Sequence, residues 1–247
     1  MGKRSKSKRA QAAPARVRTG KSACVTKTEP MTFYRRNLPH WHPDGAALFV
    51  TWRLYGSLPA RYLRGATRST ATLGCAGPRA GEKDWGRRFR LVDAELDRGA
   101  SGPLWLKEPR LARCVVETLR RGEVKLRQYD LCAFVVMANH VHVLLRPAVA
   151  VPLQRITNGI KGVTARLANQ ILGRTGQPFW QDESFDHWVR SPAELERIRQ
   201  YIEWNPVKAG LAVRPEDWPW SSATRRHSAI QGATAHSQEW LCHKERR

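Results

Sequence analysis

The sequence predicts an α+β domain: a mainly antiparallel sheet with helices on one face. Three features point there. Ala47–Leu54 is rich in β-branched and aromatic residues; the apolar runs Leu131–Met137 and His140–Leu145 are separated by two residues; and after Leu153 two stretches carry apolar residues stepping by three and four.

Charge is the strongest compositional signal. The 247 residues hold 43 Lys and Arg against 21 Asp and Glu, a net +22 that favours a polyanionic partner, nucleic acid first. A hydrophobic content of 41% with ten Trp is too high for a wholly disordered polycation. The longest apolar run, Leu131–Ala138, falls far short of the ~20 residues of a membrane-spanning helix. The basic N-terminus has no apolar core of an export signal, so a cytoplasmic protein is expected. Cys24, Cys75, Cys114, Cys132 and Cys242 are scattered and form no CxxC pair, which fits a reducing compartment without structural disulfides.

Along the chain, Met1–Lys27 carries nine Lys and Arg and no acid; it reads as a flexible basic arm, and removing it leaves +13 on the remainder. Ala47–Leu54, bounded by Pro43-Asp-Gly45 and by Gly56 and Pro59, reads as a strand. Gly65–Gly86 lacks periodicity and reads as a surface loop or insertion. Trp85–Leu96 and Pro109–Arg121 have helical spacing. The runs at 131–137 and 140–145 form a hairpin turning at Ala138-Asn139. Ile156, Ile160, Val163, Leu167 and Ile171 mark one face of a helix of roughly five turns. Phe179–Val189 is aromatic and extended. Ser191-Pro192-Ala193-Glu194 is a helix start, Ser as N-cap, Pro at the first position and Glu closing a capping box. That helix is expected to stop at Asn205-Pro206 and Gly210.

The chemistry concentrates in the hairpin and the last helix. His140 and His142 flank Val141 in a strand, so both imidazoles leave one face about 7 Å apart and can close on one divalent ion. Two histidines that bind nothing are the plain alternative. On the last helix Tyr201 and Asn205 are i, i+4 neighbours on the flank of the stripe Leu195, Ile198 and Ile202. There the alternative is core packing of Tyr201 with Asn205 as a C-cap. Tyrosine can form a covalent intermediate, but a phenol of pKa near ~10 needs help at neutral pH. An ion held by two imidazoles and an amide oxygen would supply that help by polarising a phosphate, and mixed nitrogen and oxygen ligands suit Mg²⁺ or Mn²⁺.

Four motifs carry a resemblance: Met137-Ala-Asn-His-Val-His142; Gly159-Ile-Lys161 with Thr164-Ala-Arg166; Phe179-Trp-Gln181 with Phe185-Asp-His187; and Tyr201-Ile-Glu-Trp-Asn-Pro-Val-Lys-Ala-Gly-Leu211. In this order, from about Phe33 to Trp220, they resemble the single-tyrosine HUH transposases, and within them the REP-associated tyrosine transposases of bacteria. The resemblance implies a ferredoxin-like (RRM-like) HUH endonuclease fold. His140, His142 and Asn205 would be metal ligands and Tyr201 the nucleophile, with Lys161 and Arg166 as contacts to DNA. The family usually has Pro where this chain has Ala138.

The domain boundaries that follow are a disordered basic arm over 1–30, the transposase domain over 31–220 with the insertion at about 65–86, and a basic tail over 221–247. The expected activity is metal-dependent nicking and strand transfer on single-stranded or hairpin DNA of palindromic repeats, through a 5′-phosphotyrosine. The active unit is a monomer or homodimer, associated with the nucleoid. The alternative is a noncatalytic DNA-binding protein that recognises palindromic repeats.

Overall fold

The computed structural model describes residues 31–35, 39–43, 45–59, 62 and 82–224. The basic arm, residues 65–81 of the expected loop and residues 225–247 of the expected tail lie outside them. The chain enters through an antiparallel pair absent from the sequence expectation, β1 (Met31–Arg35) and β2 (Pro39–Pro43), with Phe33 opposite Trp41. Prolines at both ends of β2 hide its strand signal, yet terminal positions are where a strand tolerates them.

The main sheet has four antiparallel strands in the order β4-β5-β3-β6: β3 (Leu48–Arg53), β4 (Tyr129–Val136), β5 (His140–Pro147) and β6 (Phe185–Trp188). β3 lies between β5 and β6, which explains why its residues are buried on both faces. The hairpin closes where expected: Met137 N–H donates to the His140 carbonyl at 2.9 Å across Ala138-Asn139. On the free edge of β4, Val136 N–H donates to the Trp220 carbonyl at 2.9 Å and Val135 bridges Ser221, so the edge is covered. Residues 221–224 of the expected tail therefore belong to the fold.

Helix α1 (Glu82–Arg98) begins inside the segment expected as loop; α2 (Pro109–Val124), α3 (Leu153–Ile171) and α4 (Pro192–Lys208) follow. α2 and α3 make the two crossovers, β3 to β4 and β5 to β6, which with this strand order is the split βαβ, or ferredoxin-like, arrangement. Both cover one face of the sheet, packing Leu111, Val115, Leu119, Ile156 and Ile160 onto Val50, Trp52, Phe134, Val141 and Val143. α2 approaches β4 closely at Gly122, where any Cβ would come within 2.2 Å of the Tyr129 hydroxyl, and that hydroxyl donates to the Leu119 carbonyl at 2.7 Å.

The opposite face is covered as well, which the expectation of helices on one face omitted. Phe89 of α1 and Leu195, Ile198, Tyr201 and Ile202 of α4 pack there on Phe49, Val135, Met137 and Leu144. The reason is in the strands: alternation gives β3, β4 and β5 an apolar residue at nearly every position, so neither face can be left to water. The stripe on α3 also ends earlier than its periodicity suggests. Val163, Leu167 and Ile171 face solvent, while Lys161, Thr164 and Asn169 are buried instead. At α4, Ser191 Oγ accepts the Glu194 N–H at 3.1 Å as expected. The Glu194 carboxylate takes Arg190 N–H and His187 rather than completing the capping box.

Candidate active site

β5 places His140 and His142 on the face covered by α1 and α4, fully buried, with their Nε2 atoms 3.1 Å apart. Each ring is fixed from its other nitrogen. Asn139 Nδ2 donates to the Leu96 carbonyl at 2.9 Å, which turns Asn139 Oδ1 toward His140 Nδ1 at 2.7 Å. A carbonyl only accepts, so His140 carries its hydrogen on Nδ1 and aims the Nε2 lone pair at His142. His142 Nδ1 lies 2.7 Å from Oγ1 of Thr51, its register partner on β3.

The structure adds a residue that sequence reasoning missed. Asp93 of α1 sets Oδ1 3.1 Å from His142 Nε2 and 3.7 Å from His140 Nε2. Ligand atoms of Asp93, His140 and His142 all lie within 4.8 Å of one another, a grouping able to hold a metal ion. One turn on, Asp97 Oδ1 is 3.6 Å from His140 Nε2. A signal for both acids existed: Phe89, Asp93, Leu96 and Asp97 share one ridge of α1, and two carboxylates on the same ridge as Phe and Leu are out of place on a merely solvated helix.

Tyr201 reaches the same point from α4, its hydroxyl donating to Asp93 Oδ2. Its ring stands edge-on to Phe49, Phe89 and His142 with centroids 6.1, 6.2 and 5.7 Å away, and the Lys208 ammonium lies 4.7 Å from its centroid. Asn205 is buried, and neither the oxygen nor the nitrogen of its side-chain amide has a hydrogen-bond partner among the described residues. The C-cap alternative for Asn205 fails, because α4 continues through the buried Pro206 to Lys208 and the cap is Ala209. Proline within the helix costs one donor, and burial of Asn205 and Pro206 holds the turn in place.

Burial and charge set the protonation of the cluster. Burial, reinforced by the charge of His142, pushes His140 down to about 3, so its ring is neutral as a ligand must be. Burial would raise Asp93, yet His142, as charge and donor, with His140 and Lys208 holds it below the usual carboxylate range. Asp97, with burial and the Asp93 charge acting together, is raised to about 7.

Of the two basic residues expected at DNA, Lys161 is turned inward. It is 9% exposed, and its ammonium donates to the carbonyls of Gln181 and Asp182 at 2.7 and 2.6 Å, tying the 181–184 loop to α3. Its donors thus face the 181–184 loop of its own chain, where the expectation had them at the DNA backbone. Arg166 is exposed on α3, across the sheet from the histidines. His187 Nε2 lies 2.9 Å from Glu194 Oε1. Trp180 is core, whereas Trp204 is 48% exposed.

Residues 108–205 match the family described as Transposase IS200 like. The matched stretch is well under half of the 247 residues. The matched stretch holds His140, His142, Tyr201 and Asn205, while Asp93 precedes it in the chain. A curated protein of Haemophilus influenzae, carrying the name of a REP-associated tyrosine transposase, is 39% identical over 46 residues, 19% of this chain and 26% of that protein. The match thus spans about a quarter of that relative's length. Among solved structures, the domain is similar to one described as a REP-associated tyrosine transposase bound to a REP hairpin. The TM-score is 0.46 at 18% identity, covering 79% of this chain and 84% of the other. A structure described as a transposase from Deinococcus radiodurans gives 0.31 at 14% identity, covering 70% and 96%.

Proposed function

We propose that the protein is a metal-dependent DNA strand transferase that nicks single-stranded or hairpin DNA, with Tyr201 as nucleophile. The observation that carries this reading is the meeting of the Tyr201 hydroxyl, the Asp93 carboxylate and the two histidine Nε2 atoms within one chain.

The donor set fits a divalent cation: two imidazoles oriented from their Nδ1 sides, a depressed carboxylate, and the unpartnered buried amide of Asn205. His140, His142 and Asp93 would hold it with Asn205 nearby on α4, and when bound it supplies Lewis-acid polarisation of a phosphate oxygen. Mg²⁺ or Mn²⁺ suits these ligands.

Tyr201 Oη attacks the phosphorus and its proton passes to Asp93 Oδ2. The bond from phosphorus to the 3′ oxygen breaks, and that oxygen leaves as a hydroxyl after taking a proton from water. A 5′-phosphotyrosine remains, which a 3′-hydroxyl can later attack to rejoin strands without ATP. Phe49, Phe89 and His142 hold the phenol ring so that its hydroxyl stays at Asp93.

Short palindromic repeats are the proposed substrate class, in keeping with the name of the curated relative and with the net positive charge. The protein would then work on chromosomal DNA in the cytoplasm, at the nucleoid; no helix among the described residues is long and apolar enough to cross a membrane. A noncatalytic binder would have no use for buried oxygens of Asp97 and Asn205 left without hydrogen bonds among the described residues, at about 1–3 kcal/mol each. The test is cleavage of an end-labelled DNA hairpin with Mn²⁺ or with EDTA. Wild type should cut only with metal, and Tyr201→Phe should bind the hairpin without cutting it. Wild-type binding without cleavage under any metal would refute the enzyme reading.

A further inference from the structure

The exposed edge of α4 carries a ridge that the nicking chemistry leaves unused. Arg197, Tyr201, Trp204 and Lys208 are spaced by four, three and four residues, so they line one side of the helix over about 16 Å. The placement of the Lys208 ammonium 4.7 Å from the Tyr201 ring centroid confirms that this side flanks the reacting hydroxyl. Lys208 is exposed, Trp204 is 48% exposed, and the Arg197 side chain is 75% exposed with Glu194 at 4.0 Å. A large aromatic left half in water between two cations, beside a partly buried nucleophile, has no packing explanation.

From this ridge we infer that α4 is the track for the unpaired DNA strand entering the site: Trp204 stacks on a base next to the scissile phosphate, and Lys208, with Arg197 beyond Tyr201, holds flanking phosphates. The inference rests on the proposed nicking function and deepens it by naming the surface that takes the single strand. The chemistry matches. Stacking on an aromatic face accepts any base, and cations one helical turn before and two turns after the nucleophile fix the backbone without reading sequence. Lys208 also lies near enough to influence the charges of Asp93 and Asp97, so a phosphate drawn to it arrives at the cluster. Opposite charge and an exposed stacking face together favour single-stranded nucleic acid over a protein partner, for which a lone Trp among cations is a poor apolar surface.

The test is binding of fluorescein-labelled (dT)12 to the full chain in EDTA, across a salt series. Trp204→Ala should weaken binding about tenfold or more, and Trp204→Phe should restore most of it. Lys208→Gln should reduce the slope of log affinity against log salt by about 0.7, the single-strand value for one phosphate contact. Arg155→Gln, on the far side of the sheet, should change the affinity little. If wild type binds (dT)12 and cuts hairpins while Trp204→Ala and Lys208→Gln bind as wild type does, the track is refuted and the nicking function stands. If Trp204→Ala loses binding together with thermal stability, and Trp204→Phe does not recover it, Trp204 is a packing residue and the track is refuted too. Failure of wild type to cut any hairpin would instead strike the function on which the track rests.

Discussion

The hydroxyl of Tyr201 donates to Oδ2 of Asp93, joining residues 108 positions apart in the chain. Through its other oxygen the same carboxylate lies 3.1 Å from His142 Nε2. One carboxylate thus links the phenol of α4 to the imidazoles of β5. It does so from α1, a helix that the split βαβ arrangement does not require.

Replacing that link should separate binding from chemistry. Asp93→Asn keeps the shape but removes the charge and the proton acceptor. Its Mn²⁺ affinity by calorimetry should fall at least ~10-fold and its nicking rate ~10²- to 10⁴-fold, with hairpin affinity in EDTA close to wild type. Unchanged nicking would mean that Asp93 is a bystander.

The orientation of His140 depends on Asn139, held in turn by the Leu96 carbonyl. Asn139→Leu leaves that carbonyl and the His140 Nδ1–H unpaired in a buried site. The expected results are a loss of about 1–3 kcal/mol per group in urea unfolding and a 10- to 100-fold weaker Mn²⁺ affinity.

Two groups in the metal-free protein give opposing pH dependences. His140 is lowered by burial from 6.5 to about 3, so the unfolded chain takes up a proton that the folded one refuses; its contribution is complete above about 6.5 and is lost as pH falls. Asp97 is raised by burial from 3.8 to about 7, so its contribution is present below about 4 and is lost as pH rises. Between these limits the slopes are about 1.4 kcal/mol per pH unit with opposite sign, and wild-type stability should be nearly flat. Asp97→Asn removes one of them, and urea unfolding of that variant should lose about 2–3 kcal/mol between pH 6.5 and 4.5. An Asp97→Asn profile as flat as wild type would show that His140 is not held neutral by burial.

Lys161 distinguishes a structural cation from a DNA contact. Lys161→Ala leaves the Gln181 and Asp182 carbonyls without their donor, so stability should fall by about 1–3 kcal/mol. The salt slope of hairpin binding should not change, whereas loss of a phosphate contact would reduce it by close to one.

How much of this could be read beforehand depended on whether the information was local. The HxH pair shares a face because strand residues alternate, and Tyr201 with Asn205 shares a flank because helix residues recur at four; both follow from spacing alone. Asp93 did not, since its role depends on α1 lying over the face of the sheet opposite α2 and α3, a long-range fact. Lys161 misled for the same reason: off the apolar stripe of α3 it read as solvated, but the 181–184 loop folds back over it. Val163, Leu167 and Ile171 continue a helical period, but Thr164, Ala168 and Leu172 form the face that meets the core. The β1–β2 pair was hidden by prolines that a strand accepts at its termini.

The most direct test of the convergent site is to trap the covalent product. Wild type is incubated with a DNA hairpin and Mn²⁺, the complex is digested, and the DNA-linked peptide is sequenced by mass spectrometry. The geometry predicts a single adduct on the peptide containing Tyr201, linked to a 5′-phosphate, absent in EDTA and absent from a His140→Ala, His142→Ala protein. An adduct on another residue, or one that forms equally well without metal and without the histidines, would contradict the site described here.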